Sequence, residues 1–563
     1  MRNIILRLLA ALVFTTAGLL YGQELNPELQ RLGQDYFAWR AVTQPATGDD
    51  INRVERPLGW APDYSPEALE GIHGKYSSYR LALESIARTG WSRADSVDYL
   101  LLRSAIERVN WEFNILRHPY RNPDFYVHQT LGAVYELLLI GSPMTDDRGK
   151  EIILRLASIP MTIAAARINL TEPVAPYALI AIDNLTDVTG KLDAVTKALK
   201  LEISHELHGD LDRVTDAAIG ALEQYSQWLA EHMDGMSHET AVGRDNYEYF
   251  LKYIALMPYT PEELISQGQL EWNRSVSFDV YESLRQADRP PAKLFANSKK
   301  QIKQATKDEL AVRKFLEDND IMTVPSWLQH YINRTRPAYL APLAYMGVVD
   351  DLTSPSRLDE PAVKYIVEPA PDLSFFNRSM AQDPRPIIIH EGVPGHYYHL
   401  AISWTNADPI RRHFFDSGPM EGIAFHVEEM LLQFGIFEDR PRTREIIYRF
   451  MRLRALRVEV DIKLALGEFT IDEAGKYLAR TVPMDEQTAV TEAGFFAYNP
   501  GQAITYQIGK KQIEKFLTDV KLCEGDQFSL RQFHDYLMLN GNVPIALQRW
   551  EYLGLEDELG KLW

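Results

Sequence analysis

Apolar residues along this chain recur at three- and four-residue intervals far more often than they alternate. In the segment 98–116, Tyr99, Leu102, Ile106, Val109, Phe113 and Leu116 fall on one stripe of a 3.6-residue repeat. The same pattern over 127–140, 192–203, 213–232 and 245–256 predicts four more helices. The best strand candidate is the short run 362–367. At 258–263 (PYTPEE) a turn runs into a helix start, with Thr260 as the cap and Pro261 at the first helical position. No repeat of fixed period interrupts this plan. The expected fold is mainly α, with little β-structure.

Breaks in the pattern suggest its organisation. Arg289–Pro290–Pro291 and Thr323–Val324–Pro325 interrupt the helices, and loops rich in Pro and Asp follow at 368–372 and 381–386. With 563 residues the chain is too long for one ordinary core. The expected division is an N-terminal helical lobe over 23–320 and a C-terminal helical lobe over 321–563 that carries the chemistry. Residues 1–22 stand apart: Arg2 and Arg7 precede or begin an apolar run over 8–20, and a polar stretch opens at Gly22. That is the plan of a secretory leader, and the run is short for a bilayer span. The expected location is periplasmic or secreted, with no stable membrane insertion once the leader is removed.

A net charge of −19 argues against a nucleic-acid partner, since phosphate contacts require clustered Lys and Arg. The single cysteine, Cys523, leaves no internal disulfide and no thiol just after the leader for lipid attachment.

The chemistry concentrates in RPIIIHEGVPGHYYHLAIS, where His390, Glu391, His396 and His399 lie within ten residues of a chain holding fourteen histidines. Zinc favours imidazole and carboxylate ligands, and a catalytic site keeps a position open for water. A glutamate beside the first histidine is suited to take a proton from that water. The spacing is not H-E-x-x-H, because Pro394 stands four residues after His390. On a regular helix His396 would lie about 120° around and ~9 Å along from His390. The two meet one ion only if the helix is bulged or broken, and Pro394–Gly395 provides a reason for a break. A third ligand is expected from a separate helix, SGPMEGIAFHVEEMLLQFGIF, which carries Glu421 and, two turns later, Glu428. Glu421 reads either as that ligand or as a cap favoured by the helix dipole.

Four motifs then occur in order: H-E-G-V-P-G-H-Y-Y-H from His390, E-G-I-A-F-H-V-E from Glu421, P-G-Q-A from Pro500 with Tyr506 and Gly509 following, and N-G-x-V-P-x-x-L over 540–547. They resemble the bacterial family called domain of unknown function 885, associated with the glutamate-zinc metallopeptidase clan. The likeness extends upstream through 122–126 and 259–263. It implies a two-lobed, metallopeptidase-like helical fold with a central cleft, and zinc held by His390, His396 and Glu421. It further implies Glu391 as general base and Tyr506 as a donor to the oxyanion; Tyr506 alternatively reads as a core residue beside Ile504, Ile508 and Ile513. The chain departs from the family pattern at Tyr397, His399, Ile423 and His426. A family D-x-x-x-H pattern survives as Asp461, with Ala465 at the histidine position. These departures spare the implied ligands and base but bear on substrate preference.

His399 and His426 remain alternatives, as replacements for His396 or as pocket residues. His205 and His208 sit in what reads as a solvated helix end, and His238 has no second histidine at helical spacing. No G-x-S-x-G elbow, phosphate-binding loop or dinucleotide fingerprint is present. The leading expectation is a zinc-dependent hydrolase of short peptides. Its rivals are an exported helical binding protein with a structural or vestigial metal site, and a zinc hydrolase of another amide or ester. Glu391 favours an enzyme over a structural site, which has no use for a general base.

Overall fold

The computed structural model describes residues 25–46, 54–482 and 484–563. The leader expected over 1–22 lies outside the described residues. Among the described residues helix accounts for 68% and strand for 3%, so the fold is mainly α. Among the described residues no helix is long and apolar enough to cross a membrane.

The first part of the chain forms α1 (Pro27–Thr43), α2 (Pro66–Ser85), α3 (Arg93–Asn110), α4 (Asp146–Asn169) and α5 (His208–His232), with shorter helices between them. Their buried faces follow the apolar stripes of the sequence: Tyr99, Leu102, Ile106 and Val109 of α3 belong to the same core cluster as Leu211, Val214, Leu222 and Leu229 of α5. Three of the predicted helices contain a π-helical turn, at Trp111–Ile115, His128–Gly132 and Phe250–Ile254. Each widens the helix locally, and a 3.6-residue repeat carries no signal for that.

The turn at 258–263 behaves as its residues dictate. Pro261 opens α6 (Pro261–Arg285), the Thr260 hydroxyl accepts from the Glu263 N–H at 3.2 Å, and the Glu263 carboxylate accepts from the Thr260 N–H at 2.8 Å. This reciprocal cap satisfies two otherwise orphaned donors. Helix α6 lies along α10 (Thr443–Ala465), with α7 (Ser298–Asp318) against a small sheet. Helices on both sides of residue 320 thus share cores: Val312 and Leu316 of α7 cluster with Ile388, Ile389, Ile423 and Ile447, while Val543, Leu547 and Leu562 return to the first cluster.

The sheet has three strands in the order β1–β3–β2, with β1 (Tyr331–Thr335) parallel to β3 (Ala362–Ile366), and β3 antiparallel to β2 (Asp350–Asp351). Only β3 was legible as a strand. All five of its residues are buried, including Lys364, whose ammonium pairs with Asp350. The Tyr331 hydroxyl donates to the same carboxylate at 2.6 Å.

Four further helices frame the site: α8 (His396–Trp404), α9 (Ser417–Gln433), α11 (Glu486–Tyr498) and α12 (Thr505–Glu524). Helices α9 and α12 touch backbone to backbone. A Cβ on Gly422 would meet the Gly509 Cα at 2.6 Å, and one on Gly509 would meet the Gly418 carbonyl oxygen at 2.3 Å. The glycines of the E-G and Y-x-x-G motifs therefore mark a crossing that no side chain permits. That crossing brings Glu421 and Tyr506, their near neighbours in sequence, to the same region.

Candidate metal centre

The helix carrying His390 does end between the two histidines. Residues Ile388–Gly392 form a π-helical turn, the chain leaves the helix at Val393, and α8 begins at His396. Gly395 is what allows the return: a Cβ there would lie 1.8 Å from the His390 carbonyl oxygen and 2.4 Å from that of Ile389. The chain folds back over its own preceding turn, and the imidazoles of His390 and His396 come to 4.6 Å between ring centres, nearly perpendicular at 74°.

Glu421 reaches them from α9. It is not that helix's cap, because Asp416 fills the role by accepting from the Gly418 N–H at 2.8 Å. The Glu421 Oε2 atom lies 3.4 Å from Nε2 of His390 and 3.3 Å from Nε2 of His396. Ligand-type atoms of all three residues fall within 4.8 Å of one another, and all three side chains are buried. Among the described residues this is the only such group of three.

Two buried carboxylates dominate the electrostatics. Burial works to raise the Glu421 carboxyl, but His396 and His390 outweigh it and hold the group well below the ordinary range. Burial and the Arg454 guanidinium both work to lower His390, yet Glu421 and Glu428 push it up to about 9. The carboxylates thus draw positive charge into the cluster. Glu421 Oε2 is buried with the two imidazole nitrogens, at 3.3 and 3.4 Å, as its partners, and His396 Nδ1 is buried with no hydrogen-bond partner. Two imidazole nitrogens and a carboxylate oxygen that converge this closely, all buried, form a donor set that suits a divalent cation. Two imidazoles and a carboxylate are also the ligand types zinc selects.

Glu428 completes the arrangement. Its Oε1 lies 2.6 Å from His390 Nδ1, and its Oε2 accepts from Arg454 at 2.8 Å. A carboxylate there favours the proton on Nδ1 and turns Nε2 toward Glu421 and His396. Glu428 carries no motif of its own in the sequence, and its one signal is that a residue seven after Glu421 lies on the same helical face. Nothing local marked Arg454.

Glu391 stands at the edge of the cluster, with Oε2 4.0 Å from His396 Nε2 and its side chain 17% exposed. The Tyr506 ring lies parallel to that of His390 at 6.2 Å, and the Arg457 guanidinium covers it at 4.7 Å. His390, Glu391, His396, Glu421 and Tyr506 all line one cavity of about 760 Å³, whose walls also come from His128, Asp183, Arg336, Lys364 and α11.

The remaining histidines lie elsewhere. His399 is fully buried against the Gly541 carbonyl at 3.2 Å, and burial lowers it to about 4. His426 faces His534, Nε2 to Nε2 at 3.3 Å, and burial lowers it to about 4 as well. Neither belongs to the three-residue group. His205 and His208 sit where a short 3₁₀ turn enters α5, so that segment is a helix start rather than the helix end read from sequence. Asp461 accepts from the N–H groups of Gly501 and Ala503, each at 2.8 Å, and from the Tyr247 hydroxyl at 3.1 Å. It thereby fixes the P-G-Q-A segment that leads into α12 and Tyr506.

Two solved structures share this fold. One, from Colwellia psychrerythraea, is described as a "putative lipoprotein"; it aligns with a TM-score of 0.73 at 17% identity, covering 93% of this chain and 99% of that one. Another, from Shewanella oneidensis, is described as a "putative lipoprotein of unknown function", with a TM-score of 0.69 at 15% identity and the same coverages. Among curated proteins none matches the sequence. The profile of the family described as "Bacterial protein of unknown function (DUF885)" matches residues 58–550, and the chain belongs to that family.

Proposed function

We propose that this protein is an exported, zinc-dependent hydrolase that acts on short peptides. The observation that carries the reading is the buried group His390, His396 and Glu421, with Glu391 beside it at the cavity wall. His390, His396 and Glu421 hold the metal. When bound, zinc supplies Lewis acidity, which polarises a carbonyl and acidifies water. Glu428 holds the Nδ1 side of the His390 ring and so turns its Nε2 toward Glu421 and His396. Glu391, within reach of the cluster yet not fully buried, takes a proton from the attacking water and returns it to the departing amine. Tyr506 donates its phenolic proton toward the oxygen on which negative charge develops. A cavity of about 760 Å³ has the size of a small-ligand site and accommodates a few residues of peptide rather than a folded protein.

Export rests on the leader pattern of residues 1–22 and agrees with the description of both structural neighbours as lipoproteins. This chain differs from a lipoprotein plan in its one cysteine, exposed Cys523, far from the leader. The protein is therefore proposed to be periplasmic or secreted.

The test is metal content by elemental analysis, on the mature protein, Glu391→Gln, and His390→Ala/His396→Ala. One zinc per chain in the first two and none in the third is expected, with hydrolysis of a peptide library only by the unaltered protein. Absence of stoichiometric metal from all three after zinc is supplied would remove the hydrolase reading.

A further inference from the structure

The cations that line the cavity are paired with carboxylates, with one exception. Arg454 is held by Glu428 at 2.8 Å, Arg457 by Glu492, and Lys364 by Asp350. Arg336 lines the same cavity, just beyond the end of β1, where its N–H bonds to the Ile366 carbonyl. Its side chain is half-buried, and its Nε is buried without a hydrogen-bond partner. Among the described residues no carboxylate pairs with it. Its electrostatic neighbours are Tyr135 and the ammonium of Lys364, which is itself a cation. Burial accordingly lowers its affinity for its proton, with only Tyr135 opposing. Holding an unpaired guanidinium in such a place costs stability, and the cost is recovered when an anion docks.

We propose that Arg336 is the anchor for a carboxylate of the substrate, so that the cavity selects peptides bearing a free carboxylate. A guanidinium binds a carboxylate through two parallel N–H bonds, which fixes orientation as well as position. The metal cluster and Glu391 line the same cavity, so a peptide anchored at Arg336 extends toward them. The carboxylate belongs either to the peptide's C-terminus or to an acidic side chain. This inference builds on the hydrolase reading but concerns binding, which is measured separately.

Binding is measured by calorimetry on zinc-loaded Glu391→Gln, with and without Arg336→Gln, using N-acetylated tripeptides of three kinds: neutral with a free C-terminus, neutral and C-amidated, and C-amidated with one glutamate. At least one carboxylate-bearing kind is expected to bind, to weaken tenfold or more in Arg336→Gln, and to recover in part in Arg336→Lys, which restores the charge but not the fork. Preference for the first kind assigns a C-terminal carboxylate, and preference for the third an acidic side chain. Equal binding of all three kinds, absence of binding, or indifference to Arg336→Gln in a variant with an unchanged melting curve would overturn the proposal. If Arg336→Gln does not fold, loss of the carboxylate preference in Arg336→Lys is not expected and would likewise overturn it. Arg336-dependent binding without turnover by the unaltered zinc-loaded protein leaves the anchor and removes the hydrolase. Turnover indifferent to Arg336 and to C-amidation does the reverse.

Discussion

Replacing Gly395 by alanine tests the backbone geometry that joins the two histidines. The new Cβ lies 1.8 Å from the His390 carbonyl oxygen and 2.4 Å from that of Ile389. Ordinary carbon–oxygen contact begins near 3.3 Å, so the two segments must separate by more than about 1 Å. Both obstacles are main-chain atoms, and no rotamer change relieves them. Overpacking of this kind costs about 3 kcal/mol. The displacement also acts directly on the site, because His390 and His396 stand on either side of the contact. Metal–ligand distances tolerate about 0.2 Å, so zinc affinity is expected to fall a hundredfold or more. Urea midpoints by circular dichroism report the first effect, and titration against a chromophoric zinc chelator reports the second. Gly220→Ala is the control: it lies inside α5 with no atom within 4 Å of its would-be Cβ, and is expected to stabilise by up to about 1 kcal/mol. A Gly395→Ala protein that unfolds at the midpoint of the control and binds zinc within twofold of the unaltered chain would refute the reasoning.

Three other perturbations probe the surroundings of the site. Gly509→Ala forces α9 and α12 apart against the Gly418 carbonyl at 2.3 Å, and is expected to cost about 2–3 kcal/mol; an unchanged urea midpoint would contradict the backbone crossing. Glu428→Gln removes the charge beside His390 and Arg454 and is expected to weaken zinc about 10–100-fold while stoichiometry recovers at saturating metal; affinity within twofold would deny Glu428 its orienting role. Burial pushes the Asp461 carboxyl up to about 7, despite hydrogen bonds from the 501 and 503 N–H groups. The folded chain keeps a proton that the unfolded chain loses near pH 4, so this contribution is complete below that pH. It declines as pH rises toward 7, by at most about 1.4 kcal/mol per unit. Asp461→Asn is expected to flatten the stability profile between pH 4.5 and 7, and parallel profiles for the two proteins would count against the shift.

The sequence by itself determined what is local. Helical periodicity is set by each segment's own residues, so the stripe at 98–116 and the cap at Thr260 and Pro261 appear in the structure as α3 and the start of α6. The break between His390 and His396 was legible for the same reason, since Pro394 and Gly395 act on their own backbone. Strand β1 was not legible because Asn333, Arg334 and Thr335 give it no apolar run like that of β3, and the two residues of β2 are too few to display a period. The π-helical turns leave no periodic trace either.

What only the tertiary structure decided is which charges meet. Glu421 carried two readings in sequence, cap or ligand-type residue; Asp416 occupies the cap and the Gly422–Gly509 crossing sets the position of α9. Arg454 and Arg336 look alike in sequence, two arginines among many. One ends beside Glu428 and the other in the cavity without a carboxylate. A residue's type states which partners suit it, whereas the partner it has depends on contacts between segments far apart in the chain. Local pattern cannot encode those contacts, because they are fixed by the packing of whole helices against one another.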